Sequence, residues 1–162
     1  MIERITGVLT VRKQRFALVA SRFNEYITSR LVAGAVEALR RHGAADDQIT
    51  EVWVPGAWEL ALAARALIEK GGLDAVICLG CVIRGQTTHH EHVGGQAARA
   101  LAHLALERGV PVAFGVLTTD TVEQAVERAG GKLGNKGAEA ALSAIEMVNV
   151  LAQIRGLHRP GT

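Results

Sequence analysis

Residues 74–80 read DAVICLG, from Asp74 to Gly80, a nearly unbroken apolar run closed by a glycine. No polar residue alternates through it, so a strand here would have neither face in water. That is the pattern of a strand buried on both faces of a parallel sheet with helices packed above and below.

Working outward, the same strand-then-helix order recurs on both sides. RFALVAS (Arg15 to Ser21) is a short apolar run. The segment after it places Ile27, Leu31, Ala35 and Leu39 at helical spacing and stops at Gly43, a natural C-terminal cap. ITEVWVPG (Ile49 to Gly56) is β-branched and halts at Pro-Gly, and AWELALAARALIEKGG carries a helical apolar stripe to Gly71 and Gly72. After the 74–80 run and a Gly/Thr loop, EHVGGQAARALAHLALERG predicts a third helix. PVAFGVLTT (Pro111 to Thr119) predicts a fourth strand, followed by a helix over 121–129 with Asp120 and Glu123 in a capping-box arrangement. A loop, GGKLGNKG (Gly130 to Gly137), leads to a last amphipathic helix, AEAALSAIEMVNVLAQIRG.

Four βα units in series without a long linker predict one α/β domain spanning 1–162, a flavodoxin-like three-layer α/β/α sandwich around a four-stranded parallel sheet. Residues 1–13 fall outside this alternation. IERITGVLTV is β-prone without a local partner, so this N-terminal arm either pairs with the sheet edge of a neighbouring subunit or is a frayed terminus.

Composition narrows the function. Net charge is only +2, and Lys and Arg are interspersed with Asp and Glu, so there is no basic tract for nucleic acid. No signal-peptide pattern opens the sequence and no apolar run approaches the roughly 20 residues that span a bilayer, which predicts a cytoplasmic protein. Cys78 and Cys81 are too few for a disulfide framework. Aromatic residues make up 4% of the chain, so each one near a loop asks for a reason.

In open parallel sheets the ligand crevice lies beyond the carboxyl ends of the strands. The segments there are RFNEY (Arg22 to Tyr26), PGAWE (Pro55 to Glu59), CVIRGQTTHH (Cys81 to His90) and TTD (Thr118 to Asp120), expected to converge at one end. Phe23 and Trp58 on adjacent loops suit a planar heterocycle, although Trp58 alone would read as a packing residue of a first helical turn. RGQTT precedes a helix and could hold an anion on backbone N–H groups, with Arg128 or Lys136 as charged partners. Neither a P-loop nor a GxGxxG pattern is present, which disfavours nucleoside triphosphates and dinucleotides.

The stretch HHEH (His89 to His92) admits two chemistries. Cys78, Cys81, His89 and His92 spell CxxC followed by HxxH, a zinc-like pattern. Three residues along a strand reverse the face, however, so the two sulfurs are expected to point apart, with Cys81 just beyond the strand end. Metal is therefore not expected. A histidine at the crevice mouth is then the natural proton carrier near neutral pH, and His89, nearest the TT anion loop, is the leading candidate. His42 and His103 have sufficient structural explanations at a helix end and in a helix.

The motifs RFN, VPGAWE, GCVIRGQTTHHEHV, PVAFGVLTT, ERAGGKLGNKG and AIEM, in this order and spacing, resemble the 6,7-dimethyl-8-ribityllumazine synthase family from Gly7 to about Ile154. The resemblance implies condensation of 5-amino-6-(D-ribitylamino)uracil with 3,4-dihydroxy-2-butanone 4-phosphate, releasing phosphate and water without metal or organic cofactor. This is the penultimate step of riboflavin biosynthesis. It implies that Phe23 stacks on the pyrimidine, that Ala57, Trp58 and Glu59 hold the ribityl side, and that the backbone around Cys81, Val82 and Ile83 reads the uracil edge. Gln86, Thr87 and Arg128 would bind phosphate and His89 would transfer protons. It also implies a homopentamer in which Phe114 and Lys136 come from the neighbour, a shell of twelve pentamers as a larger assembly, and riboflavin synthase as a protein partner. Three residues depart from the family's pattern: Trp58 stands where Phe or Tyr is more usual, His92 where Tyr is common, and Cys81 where Thr often occurs. A non-catalytic flavin-binding protein and a metal-dependent hydrolase built on HHEH are the competing readings. The phosphate set Gln86, Thr87 and Arg128 argues against the first, and the strand geometry of the cysteines against the second.

Overall fold

The computed structural model describes residues 1–87 and 89–157. Its four main strands are β1 (Phe16–Ser21), β2 (Ile49–Val54), β3 (Ala75–Ile83) and β4 (Val112–Thr119). They pair in parallel, as the alternating pattern predicts, and the structure sets their order as β2-β1-β3-β4. The helices are α1 (Glu25–Arg41), α2 (Leu60–Lys70), α3 (His89–Arg108), α4 (Val122–Arg128) and α5 (Lys136–Ile154).

The layering comes from the period-two alternation of the strands. Phe16, Leu18, Ala20, Ile77, Leu79, Cys81 and Leu117 pack with α1 and α5 residues such as Leu31, Leu39, Ala141 and Ile145. Val19, Val54, Val76, Cys78, Val82 and Val116 pack with Leu60, Ala64, Ala97 and Leu101 of α2 and α3. DAVICLG thus sits in the centre with both faces covered. The α1 and α5 backbones approach so closely that a Cβ on Gly137 would stand 2.0 Å from the Leu31 carbonyl oxygen.

The structure corrects several boundaries. β3 continues three residues past Gly80 and includes Cys81, because Val82 and Ile83 remain in register with Thr118 and Thr119 of β4. The segment before α2 is a 3-10 turn, Ala57–Glu59, rather than α-helix. The cap of α4 is Thr121, whose Oγ1 accepts from Gln124 N at 3.1 Å, while Gln124 Oε1 accepts from Thr121 N at 3.3 Å. Asp120 and Glu123 do not form the capping box. The 130–137 loop contains a small antiparallel hairpin, β5 (Ala129–Gly131) with β6 (Gly134–Asn135). Its last residue caps α5, Asn135 Oδ1 accepting from Ala138 N at 3.1 Å.

The N-terminal segment does have an intrachain partner. Asn149 of α5 donates through Nδ2 to the Val8 and Thr10 carbonyls at 2.6 and 3.1 Å, and Gln153 Nε2 donates to the Thr6 carbonyl at 2.6 Å. Val11 N donates to the His42 carbonyl at 2.8 Å, anchoring the segment at the end of α1. No strand forms within residues 1–13. Among the described residues no helix is long and apolar enough to cross a membrane.

Candidate active site

The order β2-β1-β3-β4 reverses direction at β1: the chain moves outward to β2, then crosses back to β3 on the other side. A crevice opens at such a switch point, because the connections leave neighbouring strands in opposite directions. Here it is deepened by a length mismatch. The β1–β3 register ends at Ala20 with Leu79, whereas β3 runs on to Ile83 beside β4. The β1-facing edge of residues 81–83 is left without a strand partner. Backbone groups of alternate residues address alternate sides, and Arg84 N donates to Thr119 O at 2.8 Å on the β4 side. Cys81 and Ile83 therefore present their amides and carbonyls to the open edge, while those of Val82 turn toward β4.

A cleft of about 510 Å³ occupies this place. Its described lining includes Phe23, Ala57, Trp58, Glu59, Cys81, Val82, Ile83, Thr87, His89 and His90. The loop after β1 is tied to that after β2, Arg22 N donating to Val54 O at 2.8 Å and Phe23 N to Pro55 O at 3.0 Å. Phe23 and Trp58 are 70% and 63% exposed, so neither ring is packed into the core. Trp58 is accordingly not the packing residue that its place in a first turn suggested. Glu59 is oriented by its own turn, Oε2 accepting from Gly56 N at 3.0 Å.

Gly85 and Thr87 bring the loop after β3 to the cleft, and Gln86 lies exposed between them. Thr88 lies outside the described residues. Helix α3 begins at His89, whose N–H makes a long 3.4 Å contact with Thr87 Oγ1. The exposed His89 and the buried His90 both reach the cleft, whereas His92 is exposed and does not line it. Only three of the four post-strand segments line the cleft, since no described residue of 118–120 does so. That segment braces it instead, with Asp120 Oδ1 3.7 Å from Arg84 Nη1.

Three expected site residues lie elsewhere on the chain. Phe114, near the amino end of β4, borders a separate cleft of about 530 Å³ with Ala113, Met147 and Leu151. Lys136 is exposed at the start of α5, after the hairpin. Arg128 ends α4, its Nη1 donating to the Gln124 carbonyl at 2.9 Å and standing 3.9 Å from Glu127 Oε2. Among the described residues neither Arg128 nor Lys136 lines the first cleft.

The cysteines fall on opposite sides of the sheet, Cys78 with the α2/α3 layer and Cys81 with the α1/α5 layer. Burial pushes the Cys78 thiol up to about 12 and that of Cys81 up to about 11. Both are reduced and protonated at neutral pH. Among the described residues no group of three or more His, Cys, Asp or Glu side chains is placed to hold a metal ion. His42 Nδ1 lies 2.7 Å from the Ala38 carbonyl at the end of α1, and His103 lies 3.6 Å from Glu107 on α3.

Two residues of the site carried no assigned role in the sequence. Asn24 is the only described non-glycine residue with positive φ, at 60°, and its Nδ2 donates to the Cys81 carbonyl at 2.9 Å. Asparagine directly before a helix is the available signal, since it tolerates the left-handed region. His90 is buried on the sheet-facing stripe of α3 with Gly94, Ala97, Leu101 and Leu104. That spacing is readable in the sequence once the helix is started at His89.

Residues 13–152 match the family described as 6,7-dimethyl-8-ribityllumazine synthase, which covers every strand, every cleft-lining residue and most of α5.

Proposed function

The chain belongs to the 6,7-dimethyl-8-ribityllumazine synthase family, enzymes of riboflavin biosynthesis, and we propose that its cleft residues divide the family's reaction among them. The planar uracil of 5-amino-6-(D-ribitylamino)uracil lies against Phe23, with its polar edge along the open backbone of Cys81 and Ile83. The ribityl chain runs past Ala57 and Trp58 to the Glu59 carboxylate. The 3,4-dihydroxy-2-butanone 4-phosphate places its phosphate at Gln86 and Thr87, before the N-terminus of α3, where a helix end favours an anion.

The steps are amine attack on the ketone, imine formation, loss of phosphate, ring closure and dehydration. Each transfers protons between two held reactants. His89, at the mouth and next to the anion loop, is the group that carries them. Such help is typically worth about 10² to 10⁴-fold, whereas holding two reactants together can supply about 7–11 kcal/mol. Positioning is thus the larger contribution, and no resident metal or cofactor is required.

The observation that carries this reading is the union of Phe23, Trp58, Glu59, the 81–83 edge, Thr87 and His89 in one cleft at the switch point. The placement of Phe114, Arg128 and Lys136 away from it supports a shared site. We assign these three to the cleft of an adjacent protomer in a homopentamer, Arg128 reaching the phosphate and Phe114 and Lys136 the aminouracil. Twelve pentamers form the larger shell, since the GGKLGNKG turn before α5 carries no insertion. The chain acts in the cytoplasm, with riboflavin synthase as the partner that consumes its product.

Mixing the two substrates with the protein and monitoring lumazine absorbance together with phosphate release tests the activity. No acceleration over the uncatalysed condensation overturns the proposed reaction. Light scattering of the purified protein gives the assembly, and a stable monomer with full activity excludes the shared site.

A further inference from the structure

His90 is in a position that an apolar side chain would fill more simply. It lies on the buried stripe of α3, one turn before Gly94, is nine-tenths buried, and lines the cleft. Its Nδ1 is sealed from solvent and has no hydrogen-bond partner. Buried polar atoms are rarely left unmatched, because a donor or acceptor that loses water without gaining a partner destabilises the fold. Within the described chain nothing compensates for this nitrogen.

The imidazole ring has nearly the same outline after a half-turn about its Cβ–Cγ bond, and that torsion has a roughly two-fold profile. The half-turn exchanges Nδ1 with a ring carbon in the same packed volume, so a partner in the cleft can be met without moving α3. The surroundings say which partner fits. Helix α3 packs against the Ala57–Glu59 turn, and His90 lines the cleft together with Trp58 and Glu59. A hydroxyl group both donates and accepts, and therefore satisfies a ring nitrogen in either tautomer. A phosphate dianion only accepts, and the backbone N–H groups before α3 already suit it.

We propose that His90 is a specificity-determining residue that hydrogen-bonds a hydroxyl of the ribityl chain, alongside Glu59. The assignment rests on the substrate reading given above. His90 is distinct in role from His89, which is exposed and turned by about 100° along the helix.

The test compares two ligands that differ only in the polyol: 5-amino-6-(D-ribitylamino)uracil and 5,6-diaminouracil. Their dissociation constants are measured by calorimetry, without the phosphate substrate, for the wild type, His90→Phe and His90→Leu. Phe keeps the ring volume, Leu is the second variant should Phe disturb packing, and thermal melting establishes that each is folded. The expected result is about five- to tenfold weaker binding of the ribityl compound by both variants, as for loss of one hydrogen bond, with the chainless ligand changed less than twofold. Equal weakening of both ligands, or no change in either, overturns the assignment. Turnover of the two substrates by the wild type is measured in the same preparation. Its absence overturns the proposed reaction, whereas turnover without a ribityl-selective loss overturns the role of His90 alone.

Discussion

Asn24 Nδ2 donates to the Cys81 carbonyl at 2.9 Å, and so joins the residue leaving β1 to the overhanging end of β3. The bond fixes the one backbone edge in the cleft that no strand covers. Asn24 accepts a φ of 60° to do so, a conformation that asparagine tolerates better than most residues.

Two substitutions separate these contributions. Asn24→Gly removes the side-chain bond while easing the backbone, and is expected to lower stability by about 0.5–1.5 kcal/mol. Asn24→Ala removes the bond and adds left-handed strain, roughly a further 1 kcal/mol. Urea denaturation of the two variants checks the order. An Asn24→Ala protein as stable as Asn24→Gly refutes the backbone part of the account.

His89→Ala is expected to reduce kcat by about 10²-fold, the lower end of general acid-base effects, with KM for both substrates little changed. Turnover remains because the cleft still aligns the reactants. A fully inactive yet folded His89→Ala enzyme contradicts the primacy of positioning.

Arg128→Ala is expected to raise KM for 3,4-dihydroxy-2-butanone 4-phosphate by about tenfold, the scale of a charge-assisted hydrogen bond, and to leave KM for the aminouracil within about twofold. Steady-state kinetics with each substrate varied in turn distinguishes this from a general loss of activity.

The buried thiols make stability depend on alkaline pH. An unfolded chain has thiols of ordinary acidity, near 8.5, whereas burial holds Cys78 up to about 12 and Cys81 up to about 11. Between these limits the native state keeps protons that the unfolded state has lost, so stability falls as pH rises. The Cys78 contribution approaches about 1.4 kcal/mol per pH unit. Denaturant unfolding from pH 8 to about pH 11 should show a shallower decline for Cys78→Ala than for the wild type, even though the variant starts from lower stability. Parallel declines refute the assignment.

The parts of the fold written in side-chain periodicity were legible before the structure. DAVICLG, RFALVAS, ITEVWVPG and PVAFGVLTT are the four strands, and the apolar stripes after them are the helices. Features that periodicity does not encode were missed. The last residues of β3 read as loop because Cys81 to Ile83 precede a Gly/Thr run, and only pairing with β4 extends the strand. The 129–135 hairpin is short and glycine-rich, so its bonds depend on the hairpin closing rather than on composition. In the site, Phe23, Trp58, Glu59 and His89 were legible because each stands just past the carboxyl end of a strand, where a parallel sheet opens its crevice. Asn24 and His90 escaped because one acts through a carbonyl 57 residues away and the other through burial, neither of which a local motif records.

The clasp between the N-terminal segment and α5 bears on the order in which the chain folds. Asn149 uses both Nδ2 bonds on Val8 and Thr10, accepts from Gln14 Nε2 at 3.2 Å, and Gln153 reaches Thr6. These contacts span 135 to 147 residues, from one side of the βα series to the other. Contacts of such separation carry the largest loop-closure entropy and form late. On the ribosome the segment from Thr6 to Thr10 must therefore wait for Asn149 and Gln153 to emerge before anything holds it in place.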